Sequence, residues 1–359
     1  MRIKRKNIYL KAYYRKNLGD DMFVRCITER YPNSIFKIAA HPKYSQHFKN
    51  LSNIKSFSYL EYLIDTFTNK IFKKNTYRQW VEESADATVH IGGSIFIEPA
   101  KFIPPQNYYS NPKIFFIGCN FGPYKTNEYK EFTFLRLQKA EDVCFRDKYS
   151  YDMFSDLDNV RVAPDVLFGY KGYPTPKTGY GIGISVIDLE NRSDLKHMAD
   201  EYYNVIAQIV DDCVFKGIPV KLISFCEDEG DKKAIQEITN RCKTNRAEIC
   251  EYNGDIDAIL DEINECEYVV ASRFHAMIIG WCLSKKVFPI IYSDKQTNVI
   301  DDVGYFGAKW DLRKEVYTAD KLFKDTTSSN NHNIERFIKE ADSQFEALDD
   351  YLKYEGDFI

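Results

Sequence analysis

The segment Val269–Ile279, VVASRFHAMII, holds the residues best suited to chemistry. An apolar, β-branched run ends at Ser272, the expected N-cap of a helix whose first turn would carry Arg273, Phe274 and His275. A helix N-terminus carries roughly half a positive charge and four unpaired N–H groups, so it favours anions and repels an arginine. An arginine and a titratable histidine there make sense where a phosphate or carboxylate docks in front of them. The competing account folds Arg273 back onto a neighbouring Asp or Glu and buries His275 in the core.

Other segments offer partners. In YYRKNLGDDM, Asn17, Gly19, Asp20 and Asp21 open a helix directly after the first apolar run. Acids in a first turn suit the helix dipole, so capping alone accounts for both; facing a cleft, they would bind sugar hydroxyls or act as a base. In HIGGSIFIEP, Gly92, Gly93 and Ser94 follow a strand, where paired glycines permit close approach and form an anion nest, or only a turn. Glu98 lies just beyond them. FIGCNFGPY places Gly118, Asn120 and Gly122 at another strand end, so Gly-containing turns converge on one sheet edge. CFRDKYSYDMF carries Arg146-Asp147, and Asp165 in VAPDVLF is expected to cap or orient a linker. Lys295 in YSDKQT either adds charge against a phosphate or is a surface lysine. Arg192 is either an anion ligand or one half of a surface ion pair with Asp188.

The elements that must position these residues alternate along the chain. Its 359 residues are too many for one ordinary core and suggest two domains. Strands are expected over Ile8–Tyr13, Ile35–Ala39, Thr88–Gly92, Ile114–Cys119, Val143–Arg146 and Val160–Val162. Helices are expected over Asp20–Tyr31, Tyr59–Phe72, Asn75–Ser84 and Glu128–Lys139. The stretch Gly169–Gly179 packs three glycines and two prolines into eleven residues and reads as a linker. After it come strands at Gly181–Val186, Val220–Ser224, Glu248–Tyr252, Tyr268–Ala271 and Val287–Ile291. Helices follow at Leu195–Phe215, Asp231–Asn240, Asp255–Asn264 and Arg273–Ser284. This is the pattern of two doubly wound α/β domains facing each other across a cleft, spanning residues 1–170 and 178–318. A helical tail over 319–359 is expected to pack back on the first domain.

Composition excludes several classes. A net charge of −4 argues against a broad nucleic-acid surface. No apolar stretch approaches the roughly 20 residues that span a bilayer. The start, MRIKRK, is not a signal peptide. It reads as a solvated lead-in, with weak attraction to anionic lipid as the alternative. Nine cysteines without a CxxC pair read as reduced and cytoplasmic. The six histidines stand apart, no metal-ligand cluster is evident, and no metal or cofactor is expected. Aromatic residues at 15% are a hint of carbohydrate stacking.

Together, NLGDD, GGSIF, FIGCNFGP, FRDKYSYD, APDVLF, ASRFHAMIIG and KKVFPIIYSDKQTNVIDDVG resemble the polysaccharide pyruvyl transferase family, in consistent order from about Asn17 to Gly304. The resemblance implies a GT-B-like fold and transfer of a pyruvyl group from phosphoenolpyruvate to a sugar of a bacterial surface polysaccharide, or to its lipid-linked precursor, as a ketal. It implies a donor side formed by Arg273, Ser272, Phe274, Arg192, Ser224 and Lys295, with His275 as catalytic acid beside Arg273. It implies an acceptor side of Asn17, Gly19, Asp21, Gly92, Gly93, Ser94 and Asn120, with Asp20 or Glu98 in the catalytic set. The family's third glycine is Ser94 here. Ile187 stands near the place of a strand-end arginine, for which Arg192 is the substitute. The implied enzyme is cytoplasmic and peripheral to the inner membrane face if its acceptor is lipid-linked. The alternative is a nucleotide-sugar glycosyltransferase of the same architecture, and a third reading is a sugar- or lipid-anion-binding module without catalysis.

Overall fold

The computed structural model describes residues 5–72, 76–104, 111, 113–244 and 246–354. The first four residues of the basic start, Asn75 of the expected 75–84 helix and the end of the tail lie outside the described residues. The chain divides into two compact units. One comprises Met1–Tyr14, Met22–Gly169 and Phe337–Ile359; the other comprises Arg15–Asp21 and Tyr170–Arg336. The division falls after Gly169, the end of a 3-10 turn, and from Tyr170 to Gly181 no regular element forms. The segment from residue 319 onward splits at Arg336.

The first unit contains strands β1 (Asn7–Lys11), β2 (Ile35–Ile38), β3 (Ile54–Ser56), β4 (Ala87–Ile91), β5 (Ile114–Cys119), β6 (Asp142–Phe145) and β7 (Val160–Val162). They pair in parallel in the order β3-β2-β1-β4-β5-β6-β7. β5 is buried along its whole length, which is why it reads as an unbroken apolar run rather than an alternating one. The short β3 had no such run and was not expected. The last helices are tied to this unit by Arg30, which donates to both carboxylate oxygens of Asp349 at 2.9 and 2.5 Å. Gln344 accepts the Gly118 amide at 2.8 Å.

The second unit contains β8 (Ile182–Ser185), β9 (Val220–Ser224), β10 (Glu248–Glu251), β11 (Tyr268–Ala271), β12 (Lys286–Ile291) and β13 (Trp310–Asp311), all parallel in the order β10-β9-β8-β11-β12-β13. Its core joins the apolar face of the Ala199–Phe215 helix to the inward residues of β8, β9, β11 and β12. In both sheets the strand order reverses beside the first strand, so each is a Rossmann-type, doubly wound sheet. In the second unit the reversal falls at the β8/β11 pair, where Ser185 lies in register with Ala271. The carboxyl ends of these two strands form the crevice where such sheets place ligands.

Candidate active site

The carboxyl edge of the second sheet gathers the ends of β8, β9, β11 and β12. Arg273, directly after β11, is the N-cap of the Phe274–Cys282 helix, with extended backbone and no side-chain cap. Ser272 was the expected cap, but its side chain is buried and its hydroxyl lies 2.9 Å from the Tyr202 hydroxyl. The Arg273 amide instead donates to the Ser185 hydroxyl at 3.1 Å.

The Arg273 side chain is 5% exposed and held by acids. Its Nε donates to Asp231 at 3.1 Å, a terminal nitrogen bonds the other Asp231 oxygen, and the second terminal nitrogen bonds Glu229. Asp231 is fully buried and also accepts the Phe225 and Cys226 amides at 2.8 and 2.9 Å. Of the two accounts the sequence left open for Arg273, the structure therefore shows the pairing with neighbouring acids. Burial works against its charge, but Asp231 and Glu229 outweigh it and hold the guanidinium well above its ordinary pKa. Burial pushes Glu229 up, and Arg273, Lys295 and Asn17 bring it below the usual carboxylate range. These acids sit in CEDEGD, Cys226–Asp231, after β9. The signal was an acid on each side of a glycine beyond a strand end, and the sequence reading passed over it.

The segment Arg15–Asp21 seats itself on this cluster. Leu18 donates its amide to the Phe225 carbonyl at 3.0 Å, Asn17 donates to Glu229 at 3.1 Å, and Tyr252 donates its hydroxyl to Asp21 at 2.8 Å. Gly19 lies against the His275 imidazole so closely that a Cβ there would stand 1.7 Å from Nδ1. Only glycine permits this approach. His275 is half-buried, its ring edge-on to Phe274 at 5.0 Å between centroids. Asp20, beside Gly19, is half-buried.

Positive charge of a different kind collects around Tyr292, directly after β12. The Arg192 guanidinium stacks 4.3 Å from its ring centroid, and the Lys295 ammonium lies 5.6 Å from it and 5.7 Å from Phe274. Neither cation has an ion-pair partner among the described residues. Burial would raise the Tyr292 phenol, but Lys295, Arg192 and Arg273 bring its pKa below the ordinary tyrosine value. Lys295 lies in the first turn of the Asp294–Asp302 helix, which no expected element covered. Arg192 does not pair with Asp188, as was one expectation. Asp188 is buried and accepts from Tyr203, Glu190 and Asn191. Ser224 is buried at the end of β9, and Ile187 is buried in the core.

The candidates in the first unit have other duties. Gly93 faces the Arg146 guanidinium, whose central carbon would lie 2.3 Å from a Cβ at that position. The Gly92 amide is spent on the Ile117 carbonyl at 3.2 Å, so the expected anion nest is a seat for Arg146. Arg146 is buried, donating to Asp165 at 2.9 Å and to the Asn120 side-chain oxygen, Oδ1, at 2.7 Å. Asp165 also accepts the Leu167 amide at 2.9 Å, which caps the turn as expected. Ser94 is exposed. Glu98 accepts the Lys125 and Thr126 amides and the Thr126 hydroxyl, and these bonds hold its pKa below the ordinary value. Its carboxylate anchors the start of the Asn127–Leu137 helix. Folding also assembles a group the sequence spacing hid: Glu248, Cys250 and Glu262 bring ligand atoms within 4.8 Å of one another. The Lys221 ammonium already supplies the positive charge there, pairing with Glu262 and Glu265.

Two parallel-sheet α/β units, each with a strand-order reversal beside its first strand, are the architecture of the GT-B fold. The chain belongs to the polysaccharide pyruvyl transferase family, whose sequence profile matches residues 17–294, and it is an enzyme of that type. Solved structures of similar fold include Anabaena Alr3699/HepE in complex with UDP and glucose, at TM-score 0.58 and 10% identity over 98% of this chain and 100% of that one. A second is the Methanocaldococcus jannaschii UDP-GlcNAc 2-epimerase in complex with UDP-GlcNAc and UDP, at TM-score 0.56 and 11% identity over 97% and 99%. At these identities the likeness is one of fold. No curated protein matches the chain by sequence. Among the described residues no helix is long and apolar enough to cross a membrane.

Proposed function

We propose that the enzyme transfers a pyruvyl group from phosphoenolpyruvate to a sugar of a bacterial surface polysaccharide or its lipid-linked precursor, as a ketal. The observation that carries this reading is the position of His275 in the same turn as Phe274, beside which lies the Lys295 ammonium, while Lys295 and Arg192 share the Tyr292 ring and neither has an ion-pair partner among the described residues. Phosphoenolpyruvate carries a phosphate and a carboxylate, so its site needs at least two cationic or N–H-rich partners. Arg192 and Lys295 take that role. Arg273, neutralised by Asp231 and Glu229, holds the N-terminus of the His275 helix in place.

His275, a histidine by type suited to proton transfer near neutral pH, protonates the methylene carbon of the enol phosphate and leaves the central carbon electrophilic. One sugar hydroxyl attacks that carbon and gives its proton to a carboxylate. Asp20, in the segment that packs on His275, is the candidate base. A second hydroxyl attacks the same carbon and closes the ring, returning its proton to His275, while the C–O bond to phosphate breaks and the proton held by Asp20 passes to the departing inorganic phosphate. No step calls for a metal or cofactor. A cytoplasmic location, peripheral to the membrane where the acceptor is lipid-linked, follows from this donor and acceptor.

The test is incubation with phosphoenolpyruvate and candidate glycans, followed by phosphorus NMR. Acceptor-dependent release of inorganic phosphate supports the reading. Release of a nucleoside diphosphate from a sugar nucleotide selects a glycosyltransferase instead, and silence with every donor selects a binding module.

A further inference from the structure

The Tyr59–Phe72 helix of the first unit carries a face that is exposed among the described residues. Tyr59, Leu60, Leu63, Ile64, Phe67 and Ile71 are all exposed, with Tyr59 at 68%, Leu60 at 66% and Phe67 at 62%. At about 100° per residue these six positions fall within an arc of roughly 140°. Asp65 lies opposite the middle of that arc, buried, its carboxylate bonding the Arg78 amide and guanidinium. Glu61, the helix's other acid, is turned to the Lys37 ammonium and the Tyr77 hydroxyl. Both acids are thus consumed on the inward side. The one charge left exposed on the helix is Lys70, and exposed Trp80 stands on the neighbouring Tyr77–Glu83 helix. Soluble monomers rarely leave so continuous an apolar stripe open to water.

We propose that this face docks the enzyme on an anionic phospholipid bilayer, the helix lying in the plane of the headgroups. Chemistry separates a bilayer from a protein partner here. A protein interface pairs hydrogen-bonding groups, whereas this arc is aliphatic and aromatic except for the Tyr59 hydroxyl and the Lys70 ammonium near one margin. A bilayer boundary absorbs these without matching partners, and tyrosine and tryptophan favour that depth. Charge points the same way: the chain carries −4 overall, yet on this helix both acids are paired with cations, Glu61 with Lys37 and Asp65 with Arg78, and the exposed charge is Lys70. The inference deepens the proposed function by giving a lipid-linked acceptor a surface on which to be met, but it rests on the helix alone.

The experiment is co-sedimentation of the full chain with large vesicles of phosphatidylglycerol and phosphatidylcholine, against vesicles of phosphatidylcholine only. The wild type should bind the mixed vesicles, with binding at least tenfold weaker for Leu63→Glu/Phe67→Glu and weaker in high salt. Both positions are exposed, so an unchanged melting temperature confirms that the variant is folded. Phe67→Trp supplies a second readout, a blue shift in emission on adding mixed vesicles. Failure of the wild type to bind, or equal binding by the double variant, overturns the proposal. So does a wild-type dimer in sedimentation velocity that the double variant turns into a monomer, with no vesicle binding by either. Phosphate release with a water-soluble acceptor needs no vesicle, so failure of the pyruvyl-transfer reading is recorded separately.

Discussion

Asp231→Asn keeps the shape of the side chain and an oxygen for the Phe225 and Cys226 amides, but removes the charge that faces Arg273. The guanidinium is buried and would keep only Glu229, whose carboxylate is partly open to solvent. Breaking a buried ion pair costs about 3–5 kcal/mol, and the surviving Glu229 contact places this case at the lower end, about 3 kcal/mol. In a domain of 150–250 residues each kcal/mol moves Tm by roughly 2–4 °C, so the variant should melt roughly 6–12 °C lower. Arg273→Ala should lose at least as much, because it strands a fully buried carboxylate. The double variant Asp231→Asn/Arg273→Ala should be less destabilised than the sum of the singles by more than about 1 kcal/mol, since the two changes remove one interaction. Arg273→Ala also carries a sign in pH. Burial already holds the folded pKa of Asp231 above its ordinary value against the pull of Arg273, and losing the guanidinium raises it further, so the folded state binds the proton more tightly. Stability is then retained at low pH and lost as pH rises through that folded value. Thermal and urea denaturation at pH 5 and pH 8 read all of this. If Asp231→Asn stays within about 1 kcal/mol of wild type, or the singles simply add, Arg273 is a ligand-facing group and its structural role is refuted.

Arg192→Ala and Lys295→Ala should each raise KM for phosphoenolpyruvate roughly 10-fold or more, the worth of one charge-assisted contact, with Tm unchanged; a Tm loss without a KM effect would sink their role as anion ligands. Gly19→Ala drives a Cβ into the His275 ring and should lower kcat about 100-fold with a stability loss of about 1–3 kcal/mol, and wild-type turnover would show that the ring's position is immaterial. Glu229→Gln should remove the stability that the wild type loses as pH falls through the depressed pKa of this carboxylate; urea midpoints that differ at neutral pH and converge in acid are the expected result. Gly93→Ala should destabilise the first unit by about 1–3 kcal/mol through its clash with Arg146, measured by urea titration.

Much of the fold was legible because parallel strands buried on both faces advertise themselves as apolar runs. Ile114–Cys119, Val220–Ser224 and Tyr268–Ala271 stand where the sequence put them. The edge strand β3 escaped because none of its three residues is fully buried and they form no apolar run, and β13 because two residues leave no periodicity to read. The Asp294–Asp302 helix escaped because its polar stretch shows little of the buried face formed by Gln296, Val299 and Ile300. In the site, Arg273 and His275 stood out by type, but the partners of Arg273 lie 42 and 44 residues away and are brought to it by strand register. The glycines misled for a related reason. Gly93 is needed for a close approach, but the approaching group is Arg146 from elsewhere in the same sheet, and no local pattern announces it.

The grouping of Arg15–Asp21 with the second unit, and of Phe337–Ile359 with the first, has a topological outcome. No single cut of the polypeptide yields two self-sufficient halves. A fragment starting at Tyr170 would lack the amide for the Phe225 carbonyl, the amide group for Glu229 and the acceptor for the Tyr252 hydroxyl. A fragment ending at Gly169 would lose the carboxylate partner of Arg30. Truncated chains should therefore recover their cooperative melting only when the missing peptide is supplied in trans, which makes this chain a natural substrate for split-protein complementation.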